Sequence, residues 1–421
     1  MLNRKYWFGL FIIIGIILSL MNPMMSLSKS LSNQPLREIR GVWITNVDSD
    51  VLFTRNRLAT AIKDLRQLNF NTIYPVVWNW GYTTYPSQVA KSIVGSSFMP
   101  KKSAGLLINR KLSNTEGLEG RDVLKEMVTQ GHKQGMAVIP WFEFGFMAPA
   151  TTDPAGSDLA KLHPDWLTQK QDGGTIWNEG KDPRVWLNPF KPEVKKFIID
   201  LVVEVVGKYD VDGIQFDDHF GLPSEFGYDK FTVNLYKREH QGKLPPQDPK
   251  DEEWINWRAD KITDLMHDLF TAIKATNPQA IVSISPNPQT FAKSFFLQDW
   301  AKWERQGLVE ELLIQVYRDK LETFIGELQK PEVKLASKHI PVGIGILTGV
   351  KPKPISMKQI QTQIAAVRQQ GLAGVSFFFY ESLWKLTNEP AVTRKEGFRQ
   401  MFAQSVARFS LPQAMPTRII K

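Results

Sequence analysis

The chain has 421 residues, of which 43% are hydrophobic and 23% charged, with a net charge of +9 and no cysteine. That length is ample for one large core or two ordinary ones, and the lack of cysteine excludes disulfides, thiolate catalysis, Cys-based zinc sites and lipidation on cysteine. Arg4, Lys5 and Lys29 carry part of the positive charge, and no Lys/Arg-rich run suggests a nucleic-acid groove, so nucleic acid is not an expected partner.

The chain opens with Arg4 and Lys5, then an apolar run from Trp7 to Met21, Pro23 and a Ser-rich stretch. Basic residues, a short apolar segment and a polar exit describe an export signal, or a membrane anchor if uncleaved. The reading places 1–28 as export signal or N-terminal membrane anchor and 29–36 as linker. The protein is then exported, periplasmic or extracellular, with attachment to the inner membrane through that segment if it is retained.

From Arg37 onward strands and helices alternate. Ile39 to Thr45 reads as a first strand, and Leu58, Ala61, Ile62, Leu65 and Leu68 mark a helix face. Thr72 to Trp78 is a second strand despite Pro75. Arg121 to Gln134 is a helix stopped by Gly135, and Ala137 to Glu143 a third strand. Pro192 suits a first helical position, and Val194, Phe197, Ile198, Leu201, Val202, Val205 and Val206 follow at helical spacing. A fourth strand, with Ile214 and Phe216, stops abruptly in Asp217, Asp218 and His219. A helix from Trp254 to Thr276 leads to strands at 281–285, 312–317, 341–347 and 372–379, and a last helix is expected over Arg394 to Arg408.

Eight strands alternating with eight helices is the count of a single (β/α)8 TIM barrel, an α/β fold, here over residues 37–408, with 409–421 a C-terminal tail. The three longest connections follow strands 2, 3 and 4, so the long insertions all lie in βα loops. In this fold those loops form the active face.

Few acidic residues reach that face. Asp217 and Asp218 close the fourth strand and Glu143 the third. Adjacent carboxylates at a strand tip repel each other and lose solvation, so their presence there needs a reason. Asn287 follows the fifth strand, Tyr317 and Arg318 the sixth, and Tyr380 and Glu381 the eighth. Glu381 alternatively caps the last helix. Trp78, Trp80, Tyr82, Trp141, Trp177 and Trp186 add aromatic faces of the kind a sugar ring stacks on. Carboxylates among aromatics suit glycoside cleavage, in which one carboxyl group protonates the leaving oxygen and another stabilises or attacks the cationic sugar carbon.

Other chemistries fit less well. Of six histidines only His163 and His219 fall on the active face, which rules out a three-His metal site. Asp217-Asp218-His219 leaves one divalent ion open, and with it a metal-dependent polysaccharide deacetylase. A carbohydrate-binding barrel without catalysis is a second alternative. No Gly-x-Ser-x-Gly elbow is present.

Arg40-Gly-Val-Trp43, His163-Pro-Asp-Trp-Leu167, Trp186-Leu-Asn-Pro189 and Tyr209-Asp-Val-Asp-Gly-Ile-Gln-Phe-Asp-Asp218 together resemble the bacterial glycosyl-hydrolase-like family 10 domain. Exported members of that family include glycosidases of peptidoglycan strands that lack stem peptides. The resemblance implies an extracytoplasmic glycan, most of all peptidoglycan, as substrate. Family-10 xylanases place Glu after strands 4 and 7, where this chain has Asp217/Asp218 and Gly345-Ile-Leu-Thr348, so their mechanism does not carry over. The fourth strand also resembles the amylase pattern, whose last Asp is the nucleophile, although Ser285-Pro-Asn-Pro288 stands where amylases carry their acid. In the chitinase pattern His219 occupies the place of the catalytic Glu.

The expected catalytic residues are therefore Asp217 as nucleophile or charge stabiliser and Glu143 as general acid/base, with Asp218 its rival. Trp78, Trp80, Tyr82, Trp141, Trp177, Trp186, His219, Asn287, Tyr317, Arg318, Tyr380 and Glu381 are the expected substrate contacts. No cofactor and no metal is expected.

Overall fold

A computed structural model of the chain describes residues 37–180 and 182–409. The expected export segment 1–28, the linker 29–36 and residues 410–421 of the tail lie outside the described residues. None of the described helices is long and apolar enough to cross a membrane.

The barrel strands are β1 Ile39–Ile44, β2 Thr72–Asn79, β3 in two pieces, Ala137–Val138 and Trp141–Phe142, β4 Gly213–Asp217, β5 Ile281–Ser285, β6 Glu311–Gln315, β7 Val342–Leu347 and β8 Gly374–Phe378. All pair in parallel with their neighbours, and β1 pairs with both β8 and β2, so the ladder closes into a (β/α)8 barrel. The strands are near-continuous apolar runs because both faces are covered, by side chains within and by helices without. Pro140 interrupts β3, having no N–H for the ladder, yet its carbonyl still accepts from the Gln215 amide at 2.8 Å.

The principal outer helices are α1 Arg55–Gln67, α2 Val123–Lys133, α3 Pro192–Lys208, α4 Glu252–Thr276, α5 Trp300–Arg305, α6 Leu321–Leu328, α7 Met357–Gln369 and α8 Ala391–Met401. α3 starts on Pro192, where the missing N–H costs nothing, and buries Val194, Phe197, Ile198, Leu201, Val202 and Val205. Each such side chain contributes about 1.5–3 kcal/mol of apolar transfer.

The last helix was expected to reach Arg408, but it ends at Met401, and the chain turns beneath the barrel instead. There Ala407 O accepts from the Glu38 amide at 3.0 Å, and the Arg408 guanidinium pairs with Glu311. Glu311 also accepts from Tyr74 Oη (2.9 Å) and Ser283 Oγ (3.0 Å); Ser283 Oγ accepts from Gln215 Nε2 (2.9 Å), whose Oε1 accepts from Trp43 Nε1 (2.6 Å). The lower barrel is thus filled by a polar network with its charges matched, as a buried carboxylate requires.

The long loops follow β2, β3 and β4, as expected. The loop after β3 builds a three-stranded antiparallel sheet from Met147–Pro149, Trp177–Glu179 and Asp182–Trp186, with the last strand in the middle. Arg184 anchors this sheet. It is buried, bonds Asp153 (3.0 Å) and Glu179 (3.1 Å), and lies 4.2 Å over the Trp80 ring.

Candidate active site

Parallel register places β3 beside β4, with Trp141 opposite Gln215 and Phe142 opposite Phe216. Side chains alternate along a strand, so Trp141, Glu143, Gln215 and Asp217 share the inward face. Glu143 and Asp217 therefore emerge side by side at the C-terminal mouth.

Asp217 is buried, at 4% exposure. Its Oδ2 accepts from Trp141 Nε1 (3.0 Å) and its Oδ1 from the His219 amide (2.9 Å). Burial pushes its carboxyl up to about 7, against the opposing charge of His219. Glu143 is half-buried, and its Oε2 accepts from Thr45 Oγ1 and Asn79 Nδ2, both at 2.8 Å. Burial raises its pKa to about 8; the Thr45 hydrogen bond opposes that rise and the charge of Asp217 adds to it. Asp218 leans across the mouth, where Asn287 Nδ2 (2.9 Å) and Gln315 Nε2 (3.1 Å) each hold one of its oxygens.

Tyr317 ties the three acids to one cleft. Its phenol is held well above its ordinary pKa by burial and then by the charges of Asp218, Asp217 and Glu143 together. Its ring lies 5.9 Å from Phe378, which in turn neighbours Trp43 (6.4 Å) and Trp141 (6.3 Å). Aromatic faces thus wall the carboxylates.

His219 lies behind the pair. Its Nδ1 is 2.8 Å from the Glu143 carbonyl oxygen and its Nε2 is 3.3 Å from Glu179 Oε1. A carbonyl oxygen can only accept, so Nδ1 carries a proton, and Nε2 facing a carboxylate carries the other. Burial opposes that charge, but Asp218, Asp217 and Glu179 outweigh it and hold the imidazole well above the usual histidine range. Glu179, despite its own burial, is driven down to about 2 by His219 and Arg184. Asp217, Asp218 and His219 do bring ligand atoms within 4.8 Å of one another. In this arrangement His219 Nδ1 is engaged by the Glu143 carbonyl oxygen and Nε2 by Glu179, so a metal held by His219 would have to displace one of those bonds.

The close approach behind the site depends on Gly145, at φ +50°. A Cβ there would stand 2.4 Å from the His219 carbonyl oxygen, which accepts from the Phe146 amide at 3.0 Å.

Several expected contacts lie elsewhere. Trp78 is fully buried; its indole packs on Phe197 of α3 and donates to Gly145 O. Trp186 is equally buried and donates to Gly221 O. Neither offers a face to a ligand. Trp80 is covered by Arg184 and donates to Asp153, and Tyr82 donates to Gly156 O. Arg318 pairs with Glu327 of α6 at 2.8 Å. Glu381 sits in the first turn of the short helix Tyr380–Trp384, bonded to Ser49 (3.3 Å) and Lys385 (3.1 Å). Tyr380 packs on Trp384 and feels Glu381 and Asp64 rather than the three acids. Among the expected contacts Trp141, His219, Asn287 and Tyr317 touch the carboxylates or their charge, and Trp177 is half-buried in the loop after β3.

Thr45, Asn79, Gln315, Glu179 and Phe378 were not anticipated. Thr45 directly follows β1, and Asn79 and Gln315 close β2 and β6, so position at a strand end was a usable signal for them. Glu179 had none, being brought in by the folding of its loop.

The family model described as Glycosyl hydrolase-like 10 matches residues 38–366. Glycosyl hydrolase DigH of Escherichia coli K12 is 24% identical over 321 residues, 68% of this chain and 66% of the relative's length, so the chain spans just under two thirds of that protein. Glycosyl hydrolase YngK of Bacillus subtilis is 26% identical over 298 residues, 67% of this chain and 54% of that protein. Among solved structures, the PgaB (BpsB) glycoside hydrolase domain from Bordetella bronchiseptica superposes with a TM-score of 0.58 at 13% identity, covering 84% of this chain and 100% of that one. The catalytic domain of a β-amylase from Paenibacillus polymyxa also reaches 0.58, at 10% identity, covering 87% and 98%. At such identities the structural likeness bears on the fold alone.

Proposed function

The chain belongs to the glycosyl hydrolase-like 10 family, and on that premise we propose that it is an extracytoplasmic glycoside hydrolase acting on a polysaccharide, above all the glycan strands of peptidoglycan. The observation that carries this reading is the pairing of Glu143 and Asp217 on adjacent barrel strands, in one aromatic-walled mouth, with carboxyl groups raised to about 8 and about 7. Two adjacent carboxyl groups, both raised by burial so that a proton is held between pH 7 and 8, are what acid-assisted glycoside cleavage needs. Glu143, protonated at neutral pH, donates to the glycosidic oxygen as the bond breaks. Asp217 stabilises or attacks the cationic carbon, and Asp218, fixed by Asn287 and Gln315, adds negative charge to the same cleft. Trp141 and Tyr317 bound the sugar. The basic and then apolar opening of the sequence supports export, and the motifs shared with exported members of the family support a cell-wall substrate.

The test is incubation of the purified protein with peptidoglycan, with and without its stem peptides, and assay of new reducing ends and released fragments. Strands stripped of peptides are expected to be cut, with activity that survives EDTA. Retention of glycan with no new reducing ends on long incubation would leave only a carbohydrate-binding barrel. Release of acetate that stops with EDTA would restore the deacetylase.

A further inference from the structure

The mouth carries a second aromatic surface, away from the carboxylates. The helix Gln289–Phe296 begins two residues after Asn287, which holds Asp218. On it Phe291 and Phe295, one turn apart, stack with centroids 4.9 Å apart and planes 11° from parallel. Phe296 is buried, with its ring 6.4 Å from the His219 ring. Phe291 stays 44% exposed, although the same helix has an inward face that its neighbours use. From the loop after β3, half-buried Trp177 comes within 6.5 Å of Phe295 and 6.4 Å of Phe296. Rings from two βα loops therefore form one cluster beside the mouth, joined to the site through buried Phe296 and His219.

Phe291 is exposed and Phe295 and Trp177 beside it are half-buried, a cluster of rings on the active face whose further burial a ligand would complete. The occupant is indicated by nearness to the cleft, since the helix follows Asn287, which holds Asp218, and Trp177 shares a strand with Glu179, which faces His219. A strand whose scissile bond lies at Glu143 and Asp217 must leave the mouth across its rim, and the C–H faces of sugar rings pack flat on such aromatics. We propose that Trp177, Phe291 and Phe295 form a distal subsite that stacks sugar units of the same strand beyond the cleaved bond, so that the protein discriminates in favour of long glycans. This rests on the glycosidase reading above.

The experiment compares kcat/KM on oligosaccharides of graded length for the full chain, Phe291→Ala, Phe291→Ala/Phe295→Ala and Phe291→Trp. Leu335→Ala serves as control, an exposed apolar side chain on the helix that leads to β7. The long-to-short ratio is expected to fall roughly ten-fold in the double variant, carried by KM, and to return with Phe291→Trp. A ratio within about two-fold of the parent would overturn the subsite. Binding of long strands by Glu143→Gln protein, with and without the Phe changes, separates the two claims. Ring-dependent binding without cleavage by the unaltered protein would remove the hydrolase reading and keep the subsite. Ring-independent binding would remove the subsite whatever the turnover.

Discussion

Glu143→Gln tests the acid directly. A carboxyl group at the ordinary 4.5 is about 0.3% protonated at pH 7, whereas one at about 8 is about 90% protonated. The surroundings of Glu143 thus raise the usable acid about 300-fold. Glu143 must hold its proton, so the rate falls as pH rises through about 8. Asp217 must be ionised, so the rate also falls as pH drops through about 7. The product is a bell-shaped profile whose two limbs both lie above the ordinary carboxylate range. Glutamine keeps the shape and can accept no such role. kcat is expected to drop at least ~100-fold on natural strands, with the alkaline limb gone. Aryl glycosides, whose leaving groups need no proton, should lose far less. The assay is reducing-end release from pH 5 to 9.5 for both proteins, a range of ~4.5 units spanning both limbs. An alkaline limb unchanged in the variant, or kcat within about ten-fold of the parent on natural strands, would refute the assignment.

Asp217→Asn should cost at least ~100-fold in kcat for natural and aryl substrates alike, since a charge at the cationic carbon serves both; a loss confined to natural strands would point to an acid instead. Glu179→Gln removes the carboxylate that faces His219 Nε2, so the His219 pKa should fall, as followed by NMR of the imidazole; an unchanged titration would mean the pair is not formed. Arg408→Met leaves Glu311 buried without its cation and should destabilise the fold by about 3–5 kcal/mol in urea unfolding, against under ~1 kcal/mol if that floor is solvated. Gly145→Ala places a methyl against the His219 carbonyl at a left-handed φ; about 1–3 kcal/mol of stability and part of the activity should go together, and a variant as stable as the parent would show the loop yields freely.

The sequence alone determined the barrel, because strand and helix periods are local and their alternation admits few topologies. It also placed Glu143 and Asp217 at the ends of neighbouring strands, since consecutive strands of such a barrel lie side by side. What tertiary structure decided is where each loop side chain points. Trp78 and Trp186 looked no different in sequence from Trp177, yet two are sealed in the core and one is only half-buried. Arg184 ties the β3 loop to Trp80 and to that loop's own Asp153, and its bond to Glu179 holds that carboxylate toward His219. Arg408, expected at a helix end, instead completes the barrel floor, because Glu311 inside needed a cation and the C-terminal segment was within reach. These are long-range electrostatic and packing choices, and no short window of residues contains both partners.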